Sequence, residues 1–267
     1  MRIIRFLDDG NQERFGHDFR DGTAALLTGM PQAKLRNAGR RLRVAKLLAP
    51  VAPAAILCVG LNYAQHAREL GIAAPRYPVL FMKNPAALNH PGDPILLPPS
   101  CQNPPQVDFE AELAVVIGRA AKNVSATQAL DYVLGYTIGN DISARQWQQE
   151  AGAGQWVRGK SFDTFCPLGP ELVTPDLVAD PQDLRIVCTL NGKTMQDAST
   201  ADMIFPVAEL IEYLSDDMTL LPNTVILTGT PAGVGFTREP AVFLQPGDLV
   251  EVSIAGLGML RSPVAAG

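Results

Sequence analysis

The sequence has no apolar stretch long enough to span a bilayer. Its most apolar segment, residues 47–61, is broken by Pro50 and Pro53 and falls short of the ~20 residues a membrane helix needs. It also lacks a signal-like start: residues 1–9 carry two arginines and two aspartates, and no apolar run follows. No two of its four cysteines, Cys58, Cys101, Cys166 and Cys188, form a C-x-x-C pair. Scattered among apolar runs, they read as buried thiols in a reducing compartment, so the expected localisation is cytoplasmic. Basic runs are absent except for the cluster Arg36, Arg40, Arg41, Arg43 and Lys46, which has the spacing of a solvated helix face. With a net charge of -5, that argues against nucleic acid as a partner. Internal repeats and low-complexity segments are missing too, and 47% hydrophobic against 18% charged residues is far from a disordered composition.

What the chain does have is length for one large domain with a small appendage. A strand is expected at 3–7 and weak helical signals at 24–27 and 35–48. The Ala-Pro-Val-Ala-Pro segment at 49–53 then breaks any periodicity. This divides a small N-terminal α+β region, residues 1–50, from a main domain over 51–267. Short strand-like runs bounded by turn formers follow at 56–59, 79–82, 95–97, 109–117, 133–138, 184–190, 224–228, 241–244 and 249–254. Asn191-Gly192 signals a two-residue hairpin, and Pro246-Gly247-Asp248 turns the chain into a last alternating strand. Helices are expected only at 129–134, after a Ser125 to Gln128 capping box, and at 203–214. The fold class is therefore β-rich α+β, a sandwich or barrel.

Residues 107–117, Val-Asp-Phe-Glu-Ala-Glu-Leu-Ala-Val-Val-Ile, are the most informative stretch. In a strand Asp108, Glu110 and Glu112 share one face, which then continues with Ala114 and Val116. Periodicity alone admits a solvated acidic face. If the face is buried, carboxylates ~6.6 Å apart repel by about 2.5 kcal/mol at an effective dielectric near 20, and a hard divalent cation reverses that cost. Asp141, in Asn140-Asp141 after the 133–138 strand, offers a third oxygen.

The chain resembles the fumarylacetoacetate hydrolase family from about residue 56 onward. The resemblance rests on Gly60-Leu61-Asn62-Tyr63 with His66-Ala67-Arg68-Glu69, on Asp108-Phe109-Glu110-Ala111-Glu112-Leu113, and on Asn140-Asp141-Ile142-Ser143-Ala144-Arg145. Gly159-Lys160-Ser161-Phe162-Asp163 and Thr228-Gly229-Thr230-Pro231-Ala232-Gly233-Val234-Gly235 complete it. It implies a mixed β-sandwich roll, a homodimer, and Glu110, Glu112 and Asp141 as Mg²⁺ or Mn²⁺ ligands. It further implies that Lys160 meets a substrate oxygen that becomes an enolate, and that Arg145, Gln148 and Thr230 contact substrate. Each also has an ordinary reading, as a surface lysine, solvated helix residues and a turn threonine.

His66 and Glu69 lie three apart on a short helix that Asn62 could cap and Gly71 close, so they share a face. They could be a mere surface pair, but the resemblance implies a lid dyad in which Glu69 orients His66 as a base. The expected partner is a small 2-oxo acid. The leading reading is hydrolysis of the C3–C4 bond of a 2,4-dioxo acid such as an acylpyruvate or fumarylpyruvate. Isomerisation (tautomerisation) and oxaloacetate decarboxylation use the same site. A catalytically inactive metal-dependent binding protein is the non-enzyme alternative. Two departures from the family stand out: Asn62 where larger members carry a further Asp ligand, and Gln146 where many relatives have Asp.

Overall fold

A computed structural model describes residues 1–31 and 35–267. Strands dominate, as expected of a mixed β-roll, and among the described residues they form three sheets. The largest runs Arg36–Arg43, Thr23–Thr28, Glu13–Arg20, Arg2–Leu7, Cys166–Val173, Val133–Asn140, Ala111–Ile117, Thr224–Leu227, Ala55–Gly60, Val79–Lys83. A five-stranded sheet has the order Lys193–Ser199, Arg185–Leu190, Leu249–Ile254, Gly258–Ala266, Ile95–Leu97. The third is the short ladder Val107–Asp108 with Ser143–Ala144.

The core gathers around Ala111–Ile117, in which every residue is buried. It pairs with Val133–Asn140 along one edge and Thr224–Leu227 along the other, and the burial of the whole run Leu-Ala-Val-Val-Ile means that both of its faces are covered. The helix Val207–Ser215 buries Val207, Leu210, Ile211 and Leu214, the stripe read from the sequence. Each such side chain contributes about 1.5–3 kcal/mol. Asn191 and Gly192 have φ of 52° and 77°, the geometry that a two-residue hairpin turn needs, and they join Arg185–Leu190 to Lys193–Ser199.

Several expectations need correction. The helical signals at 24–27 and 35–48 lie, within the described residues, on the strands Thr23–Thr28, Arg36–Arg43 and Lys46–Leu48. Leu26 and Leu27 are buried by sheet pairing, and the basic cluster is a solvated edge strand, where charge blocks further pairing. The elements described in the N-terminal segment, expected to be α+β, are thus all strands, and Arg2–Leu7 also pairs with Cys166–Val173. Residues 241–244 form no strand: Val242 and Leu244 donate instead to the carbonyls of Gly235 and Val107. The expected helix at 129–134 shrinks to Ala126–Ala129 and a 3₁₀ turn at Leu130–Tyr132, because Val133 already begins a strand. Ser125 makes no cap bond to the backbone there.

Candidate active site

The acidic stretch is not one strand. Asp108 pairs with Ser143 in the small ladder, Phe109 and Glu110 step out of register, and Ala111 starts the central strand. The step is held by one side-chain and one backbone bond: the Glu110 N–H donates to Asn140 Oδ1 at 3.0 Å, and the Asp141 N–H donates to the Glu110 carbonyl at 2.8 Å. It brings Glu110, Glu112 and Asp141 together rather than leaving them on an exposed face. All three are buried, and one carboxylate oxygen from each lies within 4.8 Å of the others.

Cations surround them. Lys160 Nζ donates to Glu110 Oε2 at 2.9 Å and to Asp141 Oδ2 at 2.8 Å. Arg145 donates to Glu110 Oε1 at 2.5 Å and makes a forked contact with Asp108 Oδ2 at 2.7 and 3.0 Å. Its guanidinium stacks 4.2 Å from the Phe236 ring. Lys83 is fully buried and donates to Asp141 Oδ1 at 2.5 Å and to the Ile142 carbonyl at 3.1 Å. Burial opposes ionisation of Glu110, yet the adjacent Lys160 and Arg145 hold its pKa down to about 2. Glu112 differs. Burial, then the nearby Asp141 and Glu110, push it well above the usual carboxylate range, and its side-chain hydrogen bond comes from the Gly229 N–H at 2.8 Å. Gly229 has φ of +99°, and a Cβ there would press on Asn62 and the Val59 carbonyl, so only glycine brings that amide to Glu112.

The donor set fits a hard divalent cation. Four buried carboxylates (Asp108, Glu110, Glu112, Asp141) face three buried cations (Lys83, Arg145, Lys160), one negative charge in excess if all are ionised. A small divalent cation with bonds of ~2.1 Å gathers oxygens roughly 3–4.2 Å apart, and the three ligand atoms already lie within 4.8 Å of one another. Carboxylate oxygens without sulfur or imidazole suit hard cations such as Mg²⁺, Ca²⁺ or Mn²⁺. Asp108 is not part of the set. Its oxygens accept the amides of Phe109, Gly235 and Phe236 as well as Arg145, so it clamps the glycine-rich loop.

His66, Glu110, Glu112, Arg145, Gln148, Lys160 and Thr230 line one cavity of about 200 Å³, with Asp141 directly behind. His66 Nδ1 is 2.8 Å from Glu69 Oε2, while Glu69 Oε1 accepts the Gly233 N–H at 3.0 Å and the Thr237 hydroxyl at 2.9 Å. Burial would raise the Glu69 pKa, but these donors keep it below the usual carboxylate value. The helix is Ala64–Glu69, closed at Gly71 with φ of +66° as expected. Asn62 does not cap it: the Gln65 N–H goes to Asp202, and the Asn62 side chain ties Phe205 to the Thr228 carbonyl. Asn62 is therefore a brace between the Phe205 and Thr228 segments. Gln148 Oε1 accepts from Arg145 at 3.0 Å, and its amide nitrogen makes no hydrogen bond among the described residues. The Thr230 hydroxyl is occupied, donating to the Ala111 carbonyl at 3.0 Å and accepting from Gln196 at 2.7 Å. Gln146, the other departure, bonds Gln106 and Glu150. Sequence reasoning missed Lys83 and Gln196, which lie on plain strands with no motif around them.

A β-roll that buries three converging carboxylates beneath a cavity holding a histidine–glutamate pair has the layout of a small-molecule enzyme, with three acidic side chains placed where they could hold a metal ion. Residues 55–265 match the family described as fumarylacetoacetate (FAA) hydrolase C-terminal, and the chain belongs to that family. It is 50% identical over 218 residues to the mitochondrial oxaloacetate tautomerase FAHD2A of Bos taurus, covering 81% of this chain and 68% of that one. Its fold matches 5-carboxymethyl-2-hydroxymuconate delta-isomerase from Mycobacterium smegmatis with a TM-score of 0.86 at 38% identity, over 100% of both chains. The 2-hydroxyhepta-2,4-diene-1,7-dioate isomerase from Mycobacterium marinum matches with a TM-score of 0.83 at 40% identity, over 100% of this chain and 98% of that one. No helix among the described residues is long and apolar enough to cross a membrane.

Proposed function

We propose that this chain is a Mg²⁺- or Mn²⁺-dependent enzyme that moves a proton at C3 of a small 2-oxo acid, interconverting the enol and keto forms of oxaloacetate or a close analogue. The observation that carries this reading is the placement of an oriented base, His66, on the same cavity as the carboxylate cluster and Lys160. The half-identical bovine tautomerase and the two isomerases of the same fold support the reaction class. Glu110, Glu112 and Asp141 would hold the cation, which would supply Lewis acidity toward the oxygens of the 2-oxo acid.

The chain's own residues account for the rest. Tautomerisation toward the keto acid removes the enol hydroxyl proton and adds one at C3. Glu69 engages Nδ1 of His66, which leaves Nε2 to carry that proton. Lys160 has three N–H donors, two of them on Glu110 and Asp141, so one remains for the substrate oxygen on which negative charge grows. The Gln148 amide nitrogen is free for a substrate carboxylate. The apolar walls Leu61, Phe81, Trp156 and Phe236 keep bulk water from quenching these contacts.

A second reading, C3–C4 hydrolysis of a 2,4-dioxo acid, is favoured by the full engagement of Glu69. A histidine held by a carboxylate whose other oxygen is tied to Gly233 and Thr237 is equally suited to take a proton from water. In that reaction hydroxide adds at C4, the C3–C4 bond breaks, and C3 takes the proton. The test is the decay of enol absorbance on adding purified protein to freshly dissolved enol-oxaloacetate with Mg²⁺, beside acylpyruvate cleavage. Acceleration over Mg²⁺ alone, lost with a chelator, supports tautomerisation. Cleavage of acylpyruvate without any effect on the enol would replace it with hydrolysis.

A further inference from the structure

We propose that Trp156 sets the size of the substrate substituent, restricting the site to compact 2-oxo acids; this rests on the reading of the cavity given above. The segment 150–156, with glycines at 152 and 154, leads into the short helix Val157–Lys160, and Trp156 is its N-cap. Its carbonyl accepts the Lys160 N–H at 3.2 Å, so the indole and the ammonium are carried by the same turn.

The indole has a tight seat. It lies against Gly60, where a Cβ would overlap the ring carbons, and it meets the Phe81 ring edge-on, with centroids 5.2 Å apart and planes at 63°. The Phe81 centroid is in turn 5.1 Å from Lys160 Nζ. Passing outward from the ammonium, the wall is therefore Phe81 and then Trp156, and both line the cavity. The charged groups lining it, Glu110, Glu112, Arg145 and Lys160, all belong to the carboxylate cluster at the inner end. A tail that points outward meets apolar rings and no cation of its own. A bulky ring there is a steric stop: shortening it leaves a void that a larger tail fills and a compact acid does not reach, so the ratio between the two shifts toward the larger.

The experiment compares parent, Trp156→Phe and Trp156→Ala, each loaded with Mn²⁺. Two pairs of probes are used: the enols of oxaloacetate and phenylpyruvate for turnover, and oxamate and N-phenyloxamate for binding. The second pair has no C3 proton to move, so it reads size selection even if the protein turns over neither enol. That separates failure of this inference from failure of the tautomerase reading. Trp156→Ala is expected to raise the phenyl-to-compact ratio ~10-fold or more in both kcat/KM and affinity, with Trp156→Phe in between. Unchanged ratios in Trp156→Ala would overturn the proposal. So would a parallel loss for all four probes together with weaker Mn²⁺ binding, since Trp156 would then be only a prop for the Lys160 turn.

Discussion

Lys83 offers the sharpest test of how the carboxylate cluster is held. Its ammonium is fully buried against Asp141 Oδ1 at 2.5 Å and the Ile142 carbonyl at 3.1 Å. Lys83→Met keeps nearly the same length and bulk, so no cavity opens and the change is one of charge. Breaking a buried pair by removing one partner costs about 3–5 kcal/mol, because the other charge stays behind. Asp141 retains Lys160 at 2.8 Å on its second oxygen, which places the expected loss near the lower figure. For a domain of this size each kcal/mol moves the melting temperature by about 2–4 °C, so the metal-free variant should melt roughly 6–12 °C lower. The assay is a thermal melt of parent and variant in chelator, repeated with excess Mn²⁺. The variant should regain more from the metal than the parent does, since a cation returns the charge that Asp141 lost. A fall of less than about 2 °C in chelator would refute the view that Lys83 neutralises Asp141.

The other predictions follow from the same contacts. Glu112→Gln should leave metal-free stability unchanged or higher, because burial and its acidic neighbours already disfavour the ionised form, while the gain in melting temperature on adding Mg²⁺ should disappear; a parent-like gain would remove Glu112 from the ligand set. Lys160→Met should lower kcat far more than it weakens Mn²⁺ binding, because the ammonium acts on charge that develops in the reaction and itself occupies oxygens of two ligands. Titration calorimetry with steady-state kinetics would show otherwise if the two fell together. His66→Ala should cost 10²- to 10⁴-fold in proton transfer, about 3–5 kcal/mol of barrier, and spare metal-assisted decarboxylation of oxaloacetate. Equal losses in both would assign His66 to closing the cavity instead.

The motifs were legible because each is local. His66 and Glu69 sit three apart on one helical turn, Gly71 closes it, and Asn191-Gly192 makes the hairpin it announces. The acidic stretch was legible in content and not in shape: a two-residue period cannot foresee that Asp108 is captured by Ser143 and the Gly235 and Phe236 amides while Glu110 steps inward. Lys83 was invisible, since its meaning comes from Asp141, 58 positions away and on another element. The strands Thr23–Thr28 and Arg36–Arg43 give a helical signal because Ala24 to Leu27 and the arginines of 36–43 carry no alternation that outweighs helix propensity; pairing with neighbouring strands decides them. Cys166–Val173 escaped notice because Pro167, Gly169 and Pro170 read as turn formers, yet it holds the centre of the large sheet.

The central claim, a metal-dependent proton transfer at C3 with His66 as carrier, is tested most directly by proton NMR of oxaloacetate in D₂O with purified protein and Mg²⁺. The account predicts rapid loss of the C3 proton signals with carbon chain intact, suppressed by chelator and by His66→Ala. Pyruvate appearing as fast as deuterium enters, or exchange no faster than with Mg²⁺ alone, would contradict it.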